Sequence, residues 1–249
     1  MKENRHVAIL NEVDSKGVVT VKELVTLLGV TDMTIRRDLI ALEKQGLLVR
    51  VHGGAHRKTP DSLLDATRKE RDINHIDEKR AIAQTCANLI ADGDTVFIGS
   101  GTTAALIGDY IGEKKISLVT NSLLLFERVK QMAQIDVFLI GGRYRLKTDT
   151  FVGKFAHRAL EGVQIAKAFL GTDGISGQDI TTNNEEEGAV NAEVLLQAKE
   201  RYILADASKF TQKGFFNYSH MDQVTGIITD PGLSKDLQAR YHEVLLLSS

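Results

Sequence analysis

Five short polar segments carry most of the chemistry-bearing residues, and each follows an apolar run. Gly99-Ser100-Gly101-Thr102-Thr103 follows Thr95–Ile98, Thr120-Asn121-Ser122 follows Ile116–Val119, and Gly141-Gly142-Arg143-Tyr144-Arg145 follows Val137–Ile140. Gly171-Thr172-Asp173-Gly174 follows Ala168–Leu170, and Asp206-Ala207-Ser208-Lys209 follows Tyr202–Ala205. The first segment suits an anion: its glycines let backbone approach closely, and amides and hydroxyls at a helix start can surround a phosphate. Lys209 and Arg143 or Arg145 add positive charge, while Asn121, Asp173 and one of Glu185 to Glu187 suit the directional binding of hydroxyls. Any one segment alone is ordinary helix-capping chemistry; five in register point to a site. Gly99 to Thr103 lacks the Walker lysine and is not a dinucleotide fingerprint, so a small phosphorylated polyol or sugar fits best. The candidate ligand-binding residues are therefore Gly99, Ser100, Gly101, Thr102, Thr103, Thr120, Asn121, Ser122, Gly142, Arg143, Asp173, Gly174, Glu186 and Lys209.

The apolar runs, with a sixth at Gly226–Thr229, alternate with helical stretches. Near-continuous apolar strands of this kind predict an α/β body with a mostly parallel sheet covered on both faces. Ligands bind outside the carboxyl ends of such strands, where the polar segments stand. The first helix of this body, Glu78 to Ile90, turns Ala81, Ile82, Cys86 and Leu89 inward, and Cys86 reads as a small core hydrophobe. One cysteine excludes an internal disulfide, and seven scattered histidines suggest no metal cluster.

A second set of functional residues lies near the N-terminus. Asn4 to Ser15 has Val7, Ala8, Leu10 and Val13 at roughly helical spacing, and Lys16-Gly17 closes it. Thr20-Val21-Lys22-Glu23 is a capping box opening a short helix that buries Leu24, Leu27 and Leu28 up to Gly29. Thr31 caps a third helix running to about Gln45 and closed by Gly46. Ile35, Leu39 and Leu42 form its inward stripe, so Met33, Arg37 and Lys44 point outward with Thr34 and Arg36 on the flanks. Such a face suits a major groove, where Arg grips guanine or phosphate; the plainer reading is the solvated face of an amphipathic helix. Leu47 to Val51 and the Gly-rich, basic His52 to Arg57 predict a wing, with Arg50 and Arg57 as phosphate contacts. The agreement of these features favours DNA.

The 249 residues are 43% hydrophobic, with 31 Lys+Arg against 33 Asp+Glu. No window approaches the ~18 apolar residues of a membrane span. Met1 to Leu10 does not read as a signal peptide, which predicts a cytoplasmic protein. The net charge of −2 conceals an asymmetry. Residues 1–58 hold ten Lys+Arg against seven Asp+Glu, and residues 59–249 hold 21 against 26. Thr59-Pro60-Asp61-Ser62 marks the boundary, since proline removes an amide and disfavours helix before it, and Arg68 to His75 reads as a connecting helix or strap. The expected domains are 1–58, a winged helix-turn-helix; 59–76, a linker; and 77–249, an α/β body.

"TVKELVTLLGVTDMTIRRDLIALEKQGLLVRVHGGA" resembles the N-terminal winged helix of the DeoR family of bacterial transcription regulators. The resemblance implies DNA-binding roles for Thr31, Met33, Thr34, Arg36 and Arg37 in the recognition helix, and for Arg50 and His52 near the wing. It extends over nearly the whole chain, because "GDTVFIGSGTT", "TNS", "IGGRYR", "FVG", "GTDGIS", "EEG" and "ADASKF" are similar to the sensor domain of that family. That likeness implies a Rossmann-like fold similar to ribose-5-phosphate isomerase, a phosphorylated-sugar effector, no catalytic activity, no cofactor and no metal. The chain looks most like the subgroup controlling lactose phosphotransferase operons, which implies tagatose 6-phosphate as effector. Two departures stand out. Gly99 occupies a position where many members carry Asp, though the lactose-type proteins also carry Gly, and Asn191-Ala192 replaces a common basic pair. The implied function is a homo-oligomeric repressor, dimer or tetramer, released from double-stranded operator DNA by its effector. The alternative is a sugar-phosphate isomerase with an appended DNA-binding head, using Glu186 or Glu187 with Asp173 for proton transfer.

Overall fold

The computed structural model describes residues 2–16, 18–45, 47–51, 54–57 and 75–248. It divides into two compact units, Met1–Ala66 and Thr67–Ser249. The expected boundary at Thr59–Ser62 and the strap before His75 lie outside the described residues, as do Gly46 and His52.

In the first unit, α1 (Lys2–Lys16) leads to β1 (Val18–Thr20), α2 (Val21–Leu28), α3 (Asp32–Lys44), β2 (Leu48–Val51) and β3 (Gly54–Arg57). β3 pairs antiparallel with both β1 and β2, so the wing is a small sheet in the order β1-β3-β2. The turn between α2 and α3 follows from local chemistry. The Thr20 hydroxyl accepts from the Glu23 amide at 3.2 Å while the Glu23 carboxylate accepts from the Thr20 amide at 2.7 Å. Gly29 ends α2 in the left-handed conformation at φ 62°, which a side chain resists. Thr31 then caps α3 by accepting from the Thr34 amide. The core joins Ile9 and Val13 of α1, Leu24 of α2, and Ile35, Leu39 and Leu42 of α3 to Leu48 and Ala55 of the sheet.

Two expected stripes are corrected. On α1 the buried pair is Ile9 and Val13, one turn apart, whereas Val7 is exposed because it lies on the opposite side from Ile9. On α2 the buried residues are Val21 and Leu24, with Leu28 half-buried and Leu27 exposed, since Leu27 falls off the Val21–Leu24–Leu28 line.

The second unit is a seven-stranded sheet in which every pairing is parallel. Its strands are β4 (Thr95–Ile98), β5 (Ile116–Thr120), β6 (Ile135–Leu139), β9 (Ile165–Gly171), β12 (Ala198–Leu204), β14 (Gly226–Thr229) and β15 (Leu245–Leu247). The spatial order is β15-β14-β12-β9-β4-β5-β6. Six of these are the expected apolar runs; β15 is additional. From β4 the chain steps outward through β5 to β6, then returns to the other side of β4 at β9. The order therefore reverses between β4 and β9, the place where open α/β sheets bind ligands.

The helices are α4 (Ile76–Leu89), α5 (Thr102–Leu106), α6 (Leu123–Val129), α7 (Lys154–Leu160), α8 (Glu185–Gln197) and α9 (Lys235–Arg240). They cover the sheet with two apolar clusters, one around Phe97, Leu170, Val190 and Ile203, the other around Ile82, Cys86, Ile98 and Phe169. Two antiparallel insertions were not expected: a hairpin of β7 (Arg143–Arg145) with β8 (Thr150–Val152), and a sheet of β10 (Gly174–Ser176), β11 (Asp179–Thr182) and β13 (Phe216–His220) in the order β10-β11-β13. No helix among the described residues is long and apolar enough to cross a membrane.

Candidate functional site

Parallel register brings the five polar segments to one edge of the sheet. Ile98 pairs with Phe169, Phe97 with Val119, Thr120 with Leu139, and Leu204 with Gly171. At the reversal point the two central turns touch. The Gly99 amide donates to the Phe169 carbonyl at 2.9 Å, and a Cβ on Gly171 would stand 3.4 Å from the Ser100 carbonyl. Gly101 has φ 116° and caps α5, so the chain enters that helix through a conformation open to glycine. The Ala105 amide closes on the Gly101 carbonyl at 3.0 Å. Thr102 and Thr103, both half-buried, open the first turn of α5, whose leading amides have no partner within the helix.

At the end of β5, the buried Thr120 and Ser122 hydroxyls serve the chain itself. Thr120 Oγ1 donates to the Ile98 carbonyl at 2.6 Å and accepts from the Ser122 amide, while Ser122 Oγ caps α6. Asn121 differs. Its Nδ2 donates to the Phe151 carbonyl at 3.0 Å, but its Oδ1 is buried with no hydrogen-bond partner among the described residues. An unmet buried acceptor costs about 1–3 kcal/mol, and a ligand hydroxyl would satisfy it.

Gly142 lies so close to β8 that a Cβ would meet the Val152 carbonyl at 2.7 Å. The hairpin that follows is tied to the first turn of α8. Arg143 bonds Glu186, Arg145 Nε donates to Glu187 Oε1 at 2.8 Å, and Thr148 Oγ1 donates to the same oxygen. Lys147, in the hairpin turn, escaped the sequence reading. Its burial pushes its pKa down, against the pull of Glu187 and Asp173, so it lies within electrostatic reach of both carboxylates.

Asp173 Oδ2 accepts from the Thr182 hydroxyl at 3.0 Å and the Asn183 amide at 2.8 Å. Gly174 is pressed against the chain after β12, where a Cβ would stand 2.5 Å from the Gln212 carbonyl. The buried Tyr218 hydroxyl donates to the Gly171 carbonyl at 2.8 Å, and desolvation holds its pKa well above the ordinary value. Beyond β12, Asp206 caps a short turn by accepting from the Ser208 amide at 3.0 Å. That turn carries Lys209, half-buried and without an ion pair among the described residues.

In the other unit, Met33, Arg36, Arg37 and Lys44 are exposed on α3. Thr31 and Thr34 turn their hydroxyls toward each other at 3.0 Å. Arg36 folds back on Asp32 as an i,i+4 pair, whereas Arg37 makes no ion pair among the described residues. Arg50 lies in β2 of the wing. One feature behind this face was not expected: Asp38, buried on the inner side of α3, accepts from Arg5 Nε at 2.5 Å and lies 3.1 Å from His6 Nε2.

A winged helix with outward cations, and an open parallel sheet whose polar turns meet at its reversal point, together define a DNA-binding regulator with a ligand-sensing body. The chain belongs to the DeoR family: residues 5–61 match the DeoR-like helix-turn-helix domain and residues 74–231 the DeoR C terminal sensor domain. Among characterised relatives, it is 34% identical to the lactose phosphotransferase system repressor of Streptococcus mutans, over 98% of this chain and 99% of that one. It is 39% identical to the repressor of the same name from Lactococcus lactis, over 94% of this chain and 92% of the relative. Among solved structures, ribose 5-phosphate isomerase A from Methanocaldococcus jannaschii is similar with a TM-score of 0.39 and 20% identity, covering 55% of each chain.

Proposed function

We propose that the chain represses a sugar-utilisation operon, of the lactose or galactose type, and leaves its operator when a phosphorylated sugar binds the sensor unit. Tagatose 6-phosphate is the proposed effector, as the resemblance to the lactose-type members of the family implies. Residues 1–58 bind double-stranded DNA, 59–76 link, and 77–249 sense. The protein works in the cytoplasm as a homo-oligomer, dimer or tetramer, whose paired winged helices hold operator half-sites. Effector binding favours an arrangement whose heads no longer fit that spacing.

The observation that carries this reading is the meeting of polar turns at the strand-order reversal. Gly99, Ser100, Gly101, Thr102 and Thr103 take the phosphate with Lys209 and Arg143; Asn121, Asp173 and Glu186 take hydroxyls. Thr120, Ser122, Gly142 and Gly174 shape the turns that carry them. On the DNA side, Arg37 and Met33 face the groove, Thr31, Thr34 and Arg36 hold the start of the helix, and Arg50 and His52 serve the wing.

The state of the carboxylates favours binding without turnover. An isomerase needs a base able to accept a carbon-bound proton. Asp173 already accepts from Thr182 and Asn183, Glu186 is paired with Arg143, and Glu187 with Arg145. The test is a gel-shift titration of the promoter DNA with tagatose 6-phosphate, with unphosphorylated tagatose as control. Release by the phosphate ester alone is expected. An intact complex, with the protein converting sugar phosphates at a useful rate, would establish the enzyme instead.

A further inference from the structure

We propose that Met33 is a specificity residue that reads the 5-methyl group of one thymine in each operator half-site, about two base pairs from a guanine taken by Arg37. This rests on the DNA-binding role given to α3 above.

The first turn of α3 offers few groups to a base edge. The Thr31 and Thr34 hydroxyls face each other at 3.0 Å, and the Thr31 hydroxyl also accepts from the Thr34 amide. Asp32 and Arg36 hold each other, with a second contact from Arg36 Nη2 to Asp32 Oδ2 at 3.4 Å, so the guanidinium lies along the helix. Met33 and Arg37 remain. They stand at i and i+4 on one stripe, which continues through the exposed Ile40 and Lys44.

Met33 is 63% exposed, on the face opposite the Ile35–Leu39–Leu42 stripe, and belongs to none of the apolar clusters. Among the described residues Met33 joins no apolar cluster of its unit, and a major groove offers such a side chain an apolar partner. Thymine is the only base presenting a methyl group in that groove, and apolar side chains recognise it by contact. A thioether on three rotatable bonds adapts readily to such a surface. The N-terminal residues of a recognition helix are the ones that reach base edges. Residues i and i+4 are separated by about 6 Å along a helix axis, about two base-pair steps of ~3.4 Å. That spacing sets the distance between the thymine and the guanine.

The experiment uses the full chain. Its preferred DNA site is recovered by in vitro selection, and each thymine of one half-site is replaced in turn by deoxyuridine, which removes only the methyl group. Binding is followed by fluorescence anisotropy at fixed salt. The expected result is one position where loss of the methyl weakens wild-type binding about fourfold, the worth of one buried methyl-sized group. Met33→Leu keeps that sensitivity, while Met33→Ala is insensitive there and binds the thymine site as weakly as wild type binds the deoxyuridine site. A recovered site with no methyl-sensitive thymine, or a Met33→Ala protein as sensitive as wild type, overturns the Met33 assignment and leaves the DNA-binding role of α3 standing. Selection that yields no preferred site removes both.

Discussion

Asp38 is the acid on which the recognition helix depends, and replacing it by Asn tests that dependence without opening a cavity. The carboxylate is 2% exposed and bridges α3 to Arg5 and His6 of α1. Removing one partner of a fully buried ion pair costs about 3–5 kcal/mol. Here Arg5 and His6 keep 21% and 14% of their side-chain surface, so water replaces part of what is lost. We expect Asp38→Asn to cost about 2 kcal/mol at pH 7. Hydrogen exchange of the full chain, read by peptide mass spectrometry, reports it. Amides of α1 and α3 should exchange about thirtyfold faster, the equivalent of 2 kcal/mol, with peptides of the second unit unchanged. Burial raises the carboxyl's pKa, but the hydrogen bonds and charges of Arg5 and His6 outweigh it, leaving the folded value below 3.8. A depressed folded pKa contributes stability above the unfolded value, about 3.9, that is lost as pH falls through the folded one. The gap between wild type and variant should therefore narrow below about pH 4. Unchanged exchange in α1 and α3 at pH 7, or a gap that widens on acidification, would show that the Asp38 carboxylate does not hold α3 to α1.

Three further outcomes are expected. Arg37→Ala should weaken operator binding by about 1–3 kcal/mol and leave sugar-phosphate affinity intact, measured by anisotropy and calorimetry on the same preparation. Gly174→Ala should destabilise the second unit by at least about 2 kcal/mol in thermal melts, because the new Cβ would stand 2.5 Å from a backbone carbonyl that cannot rotate away. Cys86, fully buried with its thiol pKa pushed up by desolvation, should resist a thiol reagent in the native protein and react at once in denaturant.

What could be read in advance depended on how local its cause was. The Thr20–Glu23 capping box, the Gly29 stop and the Thr31 cap are decided within four residues, and the structure has all three. The six apolar runs were legible because strands buried on both faces leave little choice of composition. Asp38 was not, since its partners lie 32 and 33 residues away on another helix. The hairpin at Arg143–Arg145 was hidden because three residues reading Arg-Tyr-Arg carry no apolar period, and their partners, Glu186 and Glu187, come from a distant helix start. β15 was missed because a three-residue edge strand is too short for periodicity to separate it from a loop. At the site, residue type named Thr120 and Asn121 alike. Only coordinates separate a hydroxyl consumed by the Ile98 carbonyl from an amide oxygen with no partner.

If sugar phosphate and operator compete through one protein, each must weaken the binding of the other. Operator affinity is measured with and without saturating tagatose 6-phosphate, and effector affinity with and without operator. Each ligand is expected to weaken the other by the same factor, between about 5- and 150-fold, and Thr102→Ala to weaken effector binding while sparing operator affinity. Tight effector binding that leaves operator affinity unchanged would rule out such a competition.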